Sequence, residues 1–220
     1  MQRHFDEELA DLRRNLATMG TLAESMIRQS VQLLTRHRGD VAAQIRRDED
    51  EVNRLHLAID DSCMRLLVLR QPAAADLRLV ASTLKINSDL ERIGDQAINL
   101  LVRAESLDGQ PEEWPRIDLS PLIRVASTMV ADALDAFIKK DVGLARKVLD
   151  DENMADDLRD QIEESLIRQA ESQKHSFRLV LQLVLVTHHL ERIADHATNI
   201  AEDVIYLVEG KDIRHHHIPE

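Results

Sequence analysis

A chain of 220 residues with 44% hydrophobic and 31% charged side chains is long enough to bury one large core or two small ones, and its balance excludes a disordered polymer. Aromatic residues make up only 2%, so the core must come from Leu, Ile, Val, Ala and Met, which favours helices packed on helices over a sheet. The net charge of −12 argues against a nucleic acid partner or an anionic membrane surface, and the single cysteine, Cys63, excludes an internal disulfide framework and a thiolate metal cluster.

The start, Met1 to Glu8, has no apolar signal core, and no apolar run is long enough to span a bilayer, so a cytoplasmic protein without membrane insertion is expected. Glycine and proline punctuate long stretches with apolar residues every three or four positions. Helix one is predicted over about 3–36 with Gly20 tolerated inside it, and helix two over about 41–70 after Gly39-Asp40. Helix three follows Gln71-Pro72 and ends near 107, before Asp108-Gly109. The stretch Asp108–Pro121 holds three prolines and a glycine and reads as the domain joint, dividing the chain into 1–108 and 109–220. Ser120-Pro121 is expected to cap helix four, which runs to about 139. Helices five and six follow at about 142–171 and 175–208. Short connections make neighbours antiparallel. The tail with His215-His216-His217 reads as a polar end.

The second half copies the first. Residues 90–99 (LERIGDQAIN) match 190–199 (LERIADHATN) at seven of ten positions, offset by 100. Glu49, Asn53, Leu55 and Ile59 match Glu152, Asp156, Leu158 and Ile162, offset by 103. Duplication of a three-helix unit explains both, so the fold class is all-α: two tandem antiparallel three-helix bundles.

Acidic side chains interrupt the apolar pattern. Glu91 falls in the series Leu77, Leu84, Glu91, Ile98, and Glu191 in Phe177, Val184, Glu191, Thr198, Ile205. Asp95 and Asp195 follow one turn later on the same face. A hairpin turning near Pro72 sets Glu91 opposite Asn53 and Asp95 opposite Glu49. A second hairpin turning near Gln173-Lys174 sets Glu191 opposite Asp156 and Asp195 opposite Glu152. Facing carboxylate and amide oxygens form a hard-cation site that also accepts iron, zinc or manganese, besides magnesium or calcium. Asn99, Asn199, His188 and His196 stand near enough in sequence to support the ligands. The bland reading is that Arg92, Arg192 or other basic residues neutralise the acids, or that they line a wet face.

Residues 90–95 (LERIGD) and 190–195 (LERIAD), the turn at 70–80 (RQPAAADLRLV) and the ending at 208–215 resemble the signature stretches of the phosphate-uptake regulator (PhoU) family across nearly the whole chain. That resemblance implies a pair of PhoU-like, spectrin-repeat-like bundles that often dimerises. It implies metal, iron or zinc above all, on the motifs Glu49 to Asn53, Glu91 to Asp95, Glu152 to Asp156 and Glu191 to Asp195, although some members are metal-free. It also implies an adaptor that links the ATPase subunit of the phosphate ABC transporter to the sensor histidine kinase of the phosphate two-component system. Such an adaptor is recruited peripherally to membrane complexes and holds down the starvation response. Asn53 departs from the strict carboxylate motif, leaving the first site one negative charge short. Two rivals are a metal-free helical scaffold and a di-metal carboxylate oxidase. The second needs Glu-x-x-His, which is absent, so no enzyme is expected.

Overall fold

A computed structural model describes residues 2–35, 39–107, 117–172 and 176–214. Its helices are α1 (Gln2–Thr35), α2 (Gly39–Arg70), α3 (Ala74–Ser106), α4 (Ser120–Lys139), α5 (Val142–Glu171) and α6 (Phe177–Glu209), and no strand occurs among the described residues. Every expected helix is present within a few residues. The boundary at 108/109, the Gln173-Lys174 turn and His215–His217 lie outside the described residues.

Helices α1, α2 and α3 pack on one another, as do α4, α5 and α6, and the two bundles join mainly along α3 and α6, with α1 against α4 beside them. Each bundle is closed by apolar side chains at helical spacing. Leu12, Leu16, Met19 and Met26 of α1 meet Ile45, Val52 and Ile59 of α2 and Ile86, Leu90, Ile93 and Leu100 of α3, all at most 1% exposed. Side chains of this size contribute about 1.5–3 kcal/mol each when fully buried. The second bundle uses more alanine, with Ala126, Ala133, Ala136, Ala145, Ala155, Ala194, Ala197 and Ala201 buried, which lets its helices approach closely.

Gly20 has a packing reason rather than being merely tolerated. A Cβ there would sit 2.6 Å from Leu134 Cδ2, so the glycine lets α1 press against α4. The α4–α5 connection turns at Lys140, which is left-handed (φ 55°), and Asp141 then caps α5 by accepting the Leu144 N–H at 3.0 Å. Gly210 ends α6 at φ 70°, donating its N–H to the Tyr206 carbonyl.

Two expectations need correcting. Ser120 is the first helical residue of α4 rather than its cap, and its N–H is taken by the Asp118 carboxylate at 2.9 Å. The series Leu77, Leu84, Glu91, Ile98 is not the core line of α3. Leu77 is 44% exposed, and Leu84, Glu91 and Ile98 are half-buried, while the core line runs through Val80, Ile86, Leu90, Ile93, Ala97 and Leu100. The series therefore runs along the edge of the buried face of α3 rather than along its centre.

Candidate functional site

The two acidic clusters lie on the flanks of the α2–α3 and α5–α6 hairpins. In the first repeat Glu49 and Glu91 are half-buried, while Asn53 and Asp95 are exposed. Burial, then the charges of Asp95 and Asp50, push the Glu49 carboxyl above its ordinary range. The charge of Asp95 on α3 thus reaches Glu49 on α2. Glu91 takes no ion pair or hydrogen bond among the described residues.

In the second repeat Glu152, Asp156, Glu191 and Asp195 are all half-buried. Burial, then the charges of Glu191, Asp156 and Glu152, push Asp195 up to about 6, with His196 acting weakly the other way. Glu152 is raised too, by burial and then by Asp156. Asp195 thus feels all three of the other acids. Their counter-charge is not Arg192, which is exposed, but Arg159. Its Nη1 donates to Glu191 Oε1 at 2.5 Å and to Asp156 Oδ1 at 3.2 Å. The hydrogen bonds to Asp160, then the charges of Glu191 and Asp156, hold the guanidinium firmly charged. Sequence reasoning missed Arg159, although its place one turn after Asp156 put it on the same face.

The oxygen-rich donors suit a hard cation. Their present rotamers do not yet form a cage: among the described residues no three His, Cys, Asp or Glu side chains converge closely enough to hold an ion as they stand. In the first repeat, Glu49, Glu91 and Asp95 would have to turn inward together. In the second, Arg159 already fills the space between the two helices' acids.

The expected supporting residues mostly serve other contacts. His196 Nδ1 lies 2.9 Å from Asp89 Oδ1 on α3, and Asn199 donates to the same oxygen at 3.2 Å. These two hold the repeats together rather than backing the acids of their own bundle. His188 is exposed and its Nε2 lies 3.6 Å from Glu163, one turn beyond the cluster. Asn99 is half-buried on the Asp95 face. Each hairpin also carries a polar tie not foreseen from the sequence: Asn87 Nδ2 donates to Asp60 Oδ1 at 2.8 Å, and Thr187 Oγ1 to Glu163 Oε1 at 2.9 Å.

The larger omission is the seam between α3 and α6. Ser82, Asp89, Gln96 and Arg103 recur every seven residues on α3, and Gln182, His189, His196 and Asp203 do so on α6. The helices run antiparallel, so the two series pair rung by rung. Ser82 Oγ donates to the Asp203 carbonyl at 3.3 Å, Asp89 meets His196, Gln96 Oε1 meets His189 Nδ1 at 2.9 Å, and Arg103 Nη1 donates to Gln182 Oε1 at 3.0 Å. Lys85 adds an ion pair to Asp203 Oδ1 at 2.9 Å, with the Asp203 side chain only 6% exposed. Burial pushes Asp203 up while Lys85 opposes it. Burial, then the charge of Arg103, lowers His189 to about 4, so it is neutral near pH 7. The signal was present as two polar heptads at equivalent positions of the two repeats, offset by 100, with a different residue at each rung.

Among the described residues, six helices in two like bundles, each with an acidic flank, define a tandem-repeat helical protein. Comparison with known proteins agrees. The PhoU domain profile matches twice, over residues 16–104 and 119–204. The phosphate-specific transport system accessory protein PhoU homolog of Pseudomonas aeruginosa is 38% identical over 98% of this chain and 89% of its own length. The accessory protein PhoU of Escherichia coli is 31% identical over 96% of this chain and 88% of its own. The crystal structure of PhoU from Pseudomonas aeruginosa superposes with a TM-score of 0.90, covering 94% of this chain and all (100%) of that one. PhoU from Streptococcus pneumoniae, described as a phosphate transport system regulatory protein, gives 0.87 at 27% identity. The chain belongs to the PhoU family.

Proposed function

We propose that the protein is a cytoplasmic, non-enzymatic adaptor of phosphate homeostasis. It acts as a homodimer, links the ATPase subunit of the phosphate ABC transporter to the sensor histidine kinase of the phosphate two-component system, and restrains the starvation response when phosphate is plentiful. One observation carries the reading: nearly the whole chain matches proteins named as phosphate-transport accessory proteins, in sequence and in fold. The absence of a membrane-crossing helix among the described residues fits a peripheral partner. So does the position of several of the exposed apolar side chains. Met64, Val68 and Leu77 stand around the α2–α3 turn, and Ile167, Phe177 and Leu181 around the α5–α6 turn. Because α3 and α6 are antiparallel, those two groups lie at opposite ends of the molecule, which suits a link between two partners.

We propose further that the first repeat takes a hard divalent or ferric cation on Glu49, Glu91 and Asp95, with the Asn53 amide oxygen as a weaker donor. The support is the chemistry of the donors and the mutual repulsion of Glu49 and Asp95, which a cation would relieve. Such an ion would cross-link α2 to α3 and stiffen the hairpin.

Deleting the gene in its own host and following a phosphate-starvation reporter tests the adaptor role. Expression should become constitutive in phosphate-rich medium and return to repressed on complementation. An unchanged reporter would contradict the role. Co-purification with the ATPase subunit and with the kinase, measured separately, tests the two links.

A further inference from the structure

The two acidic clusters descend from one ancestral unit but are balanced by different means. At the repeat offset of 103, Arg159 corresponds to His56 and Asp160 to Leu57. In the second repeat the Arg159 side chain is 20% exposed and Glu191 18%. One guanidinium edge meets Glu191 and Asp156, while Nε and Nη2 reach Asp160 Oδ1 at 3.0 and 2.8 Å. In the first repeat His56 turns away from the acids: its Nδ1 lies 3.4 Å from the Asn87 carbonyl and its Nε2 3.7 Å from Asp60. Leu57, where Asp160 would be needed to orient an arginine, is 69% exposed.

We propose that Arg159 is the resident cation of the second repeat, so that Glu152, Asp156, Glu191 and Asp195 form an internal ion-pair site closed to metal, leaving, of these two clusters, the one in the first repeat open to it. The second clause rests on the metal reading of the first repeat given above; the first stands without it. A guanidinium cannot give up its proton at accessible pH, so a metal ion cannot share those oxygens with a neutral partner and must displace Arg159 outright. Displacement would also strip three acceptors from Arg159 in a half-buried setting. In the first repeat no such displacement is required, because the residue at that position is already committed elsewhere.

The test is the metal content of the full chain after equilibration with manganese or zinc and desalting, together with the thermal shift those ions produce. Wild type and the variant with E191Q and D195N should hold the same amount of metal. The variant with E91Q and D95N should lose what wild type holds. Adding Arg159→His to that E91Q and D95N background, which copies the first repeat's residue, should create metal binding at least ten-fold tighter than in its parent. Arg159→Lys, which keeps the charge, should not. Arg159→Gln replaces the histidine variant if that one fails to fold. The proposal is overturned if E191Q with D195N lowers the metal content, or if neither uncharged substitution at 159 binds more metal than its parent. A wild type that holds no metal would refute the reading of the first repeat, while the Arg159 arm would still decide the second.

Discussion

The two repeats share a helix plan and an acidic motif, yet their acids live in different surroundings. In the first, Asp95 and Asn53 are exposed to water and Glu91 has no ionic partner among the described residues. In the second, the equivalent groups are half-buried, Asp195 is pushed up to about 6, and an arginine is threaded among them. Duplication copied the backbone and the acids, and the halves then settled the cost of gathered negative charge by opposite routes, solvation in one and an internal cation in the other.

The sharpest way to break this comparison is to remove the arginine. Arg159→Met should destabilise the chain by about 2–3 kcal/mol in urea unfolding, because it strands Glu191 in a half-buried place. His56→Met, its counterpart, should cost less than about 1 kcal/mol, since its contacts are longer than good hydrogen bonds. Equal losses would contradict the asymmetry.

The seam between the repeats offers a second contrast. Lys85→Met leaves the Asp203 carboxylate buried without its ion pair and should cost about 2 kcal/mol. Gln182→Ala, at the opposite end of the same seam, removes only one hydrogen bond from Arg103 and should cost about 1 kcal/mol.

Smaller effects follow from the acids themselves, measured on chelator-treated protein. Asp195 is raised from 3.8 to about 6 in the folded chain, so the folded state binds its proton more tightly than the unfolded state does. Its contribution is therefore greatest below about pH 4 and is lost as the pH rises through about 6. Asp195→Asn should raise stability at pH 8 by about 1 kcal/mol, allowing for its partial exposure, and should flatten the pH dependence between 4 and 6. Asp95→Asn, in the exposed equivalent, should change stability by less than about 0.5 kcal/mol.

Much of this was legible in the amino-acid order. Gly39 and Pro121 mark the starts of α2 and α4, and Pro72 the break after α2, and hairpin registry followed from the turns, which is why Glu49 feels the charge of Asp95 and Asp195 that of Glu152. What escaped notice depends on contacts between distant parts of the chain. Ser82, Gln96 and Asp203 look like surface residues in a single helix and become buried only once α6 lies on α3. Arg159 was hidden for a related reason: Arg92 and Arg192 sit next to the acids in sequence, but successive residues on a helix point about 100° apart. Both arginines therefore face water.

The most direct test of the account is a crystal structure of the protein grown with manganese or zinc and collected at the metal's absorption edge. The account predicts an anomalous peak between Glu49, Glu91 and Asp95, and none between Glu152, Asp156, Glu191 and Asp195, where Arg159 should still hold Glu191. Peaks of equal height in both repeats, with Arg159 swung out toward solvent, would contradict it.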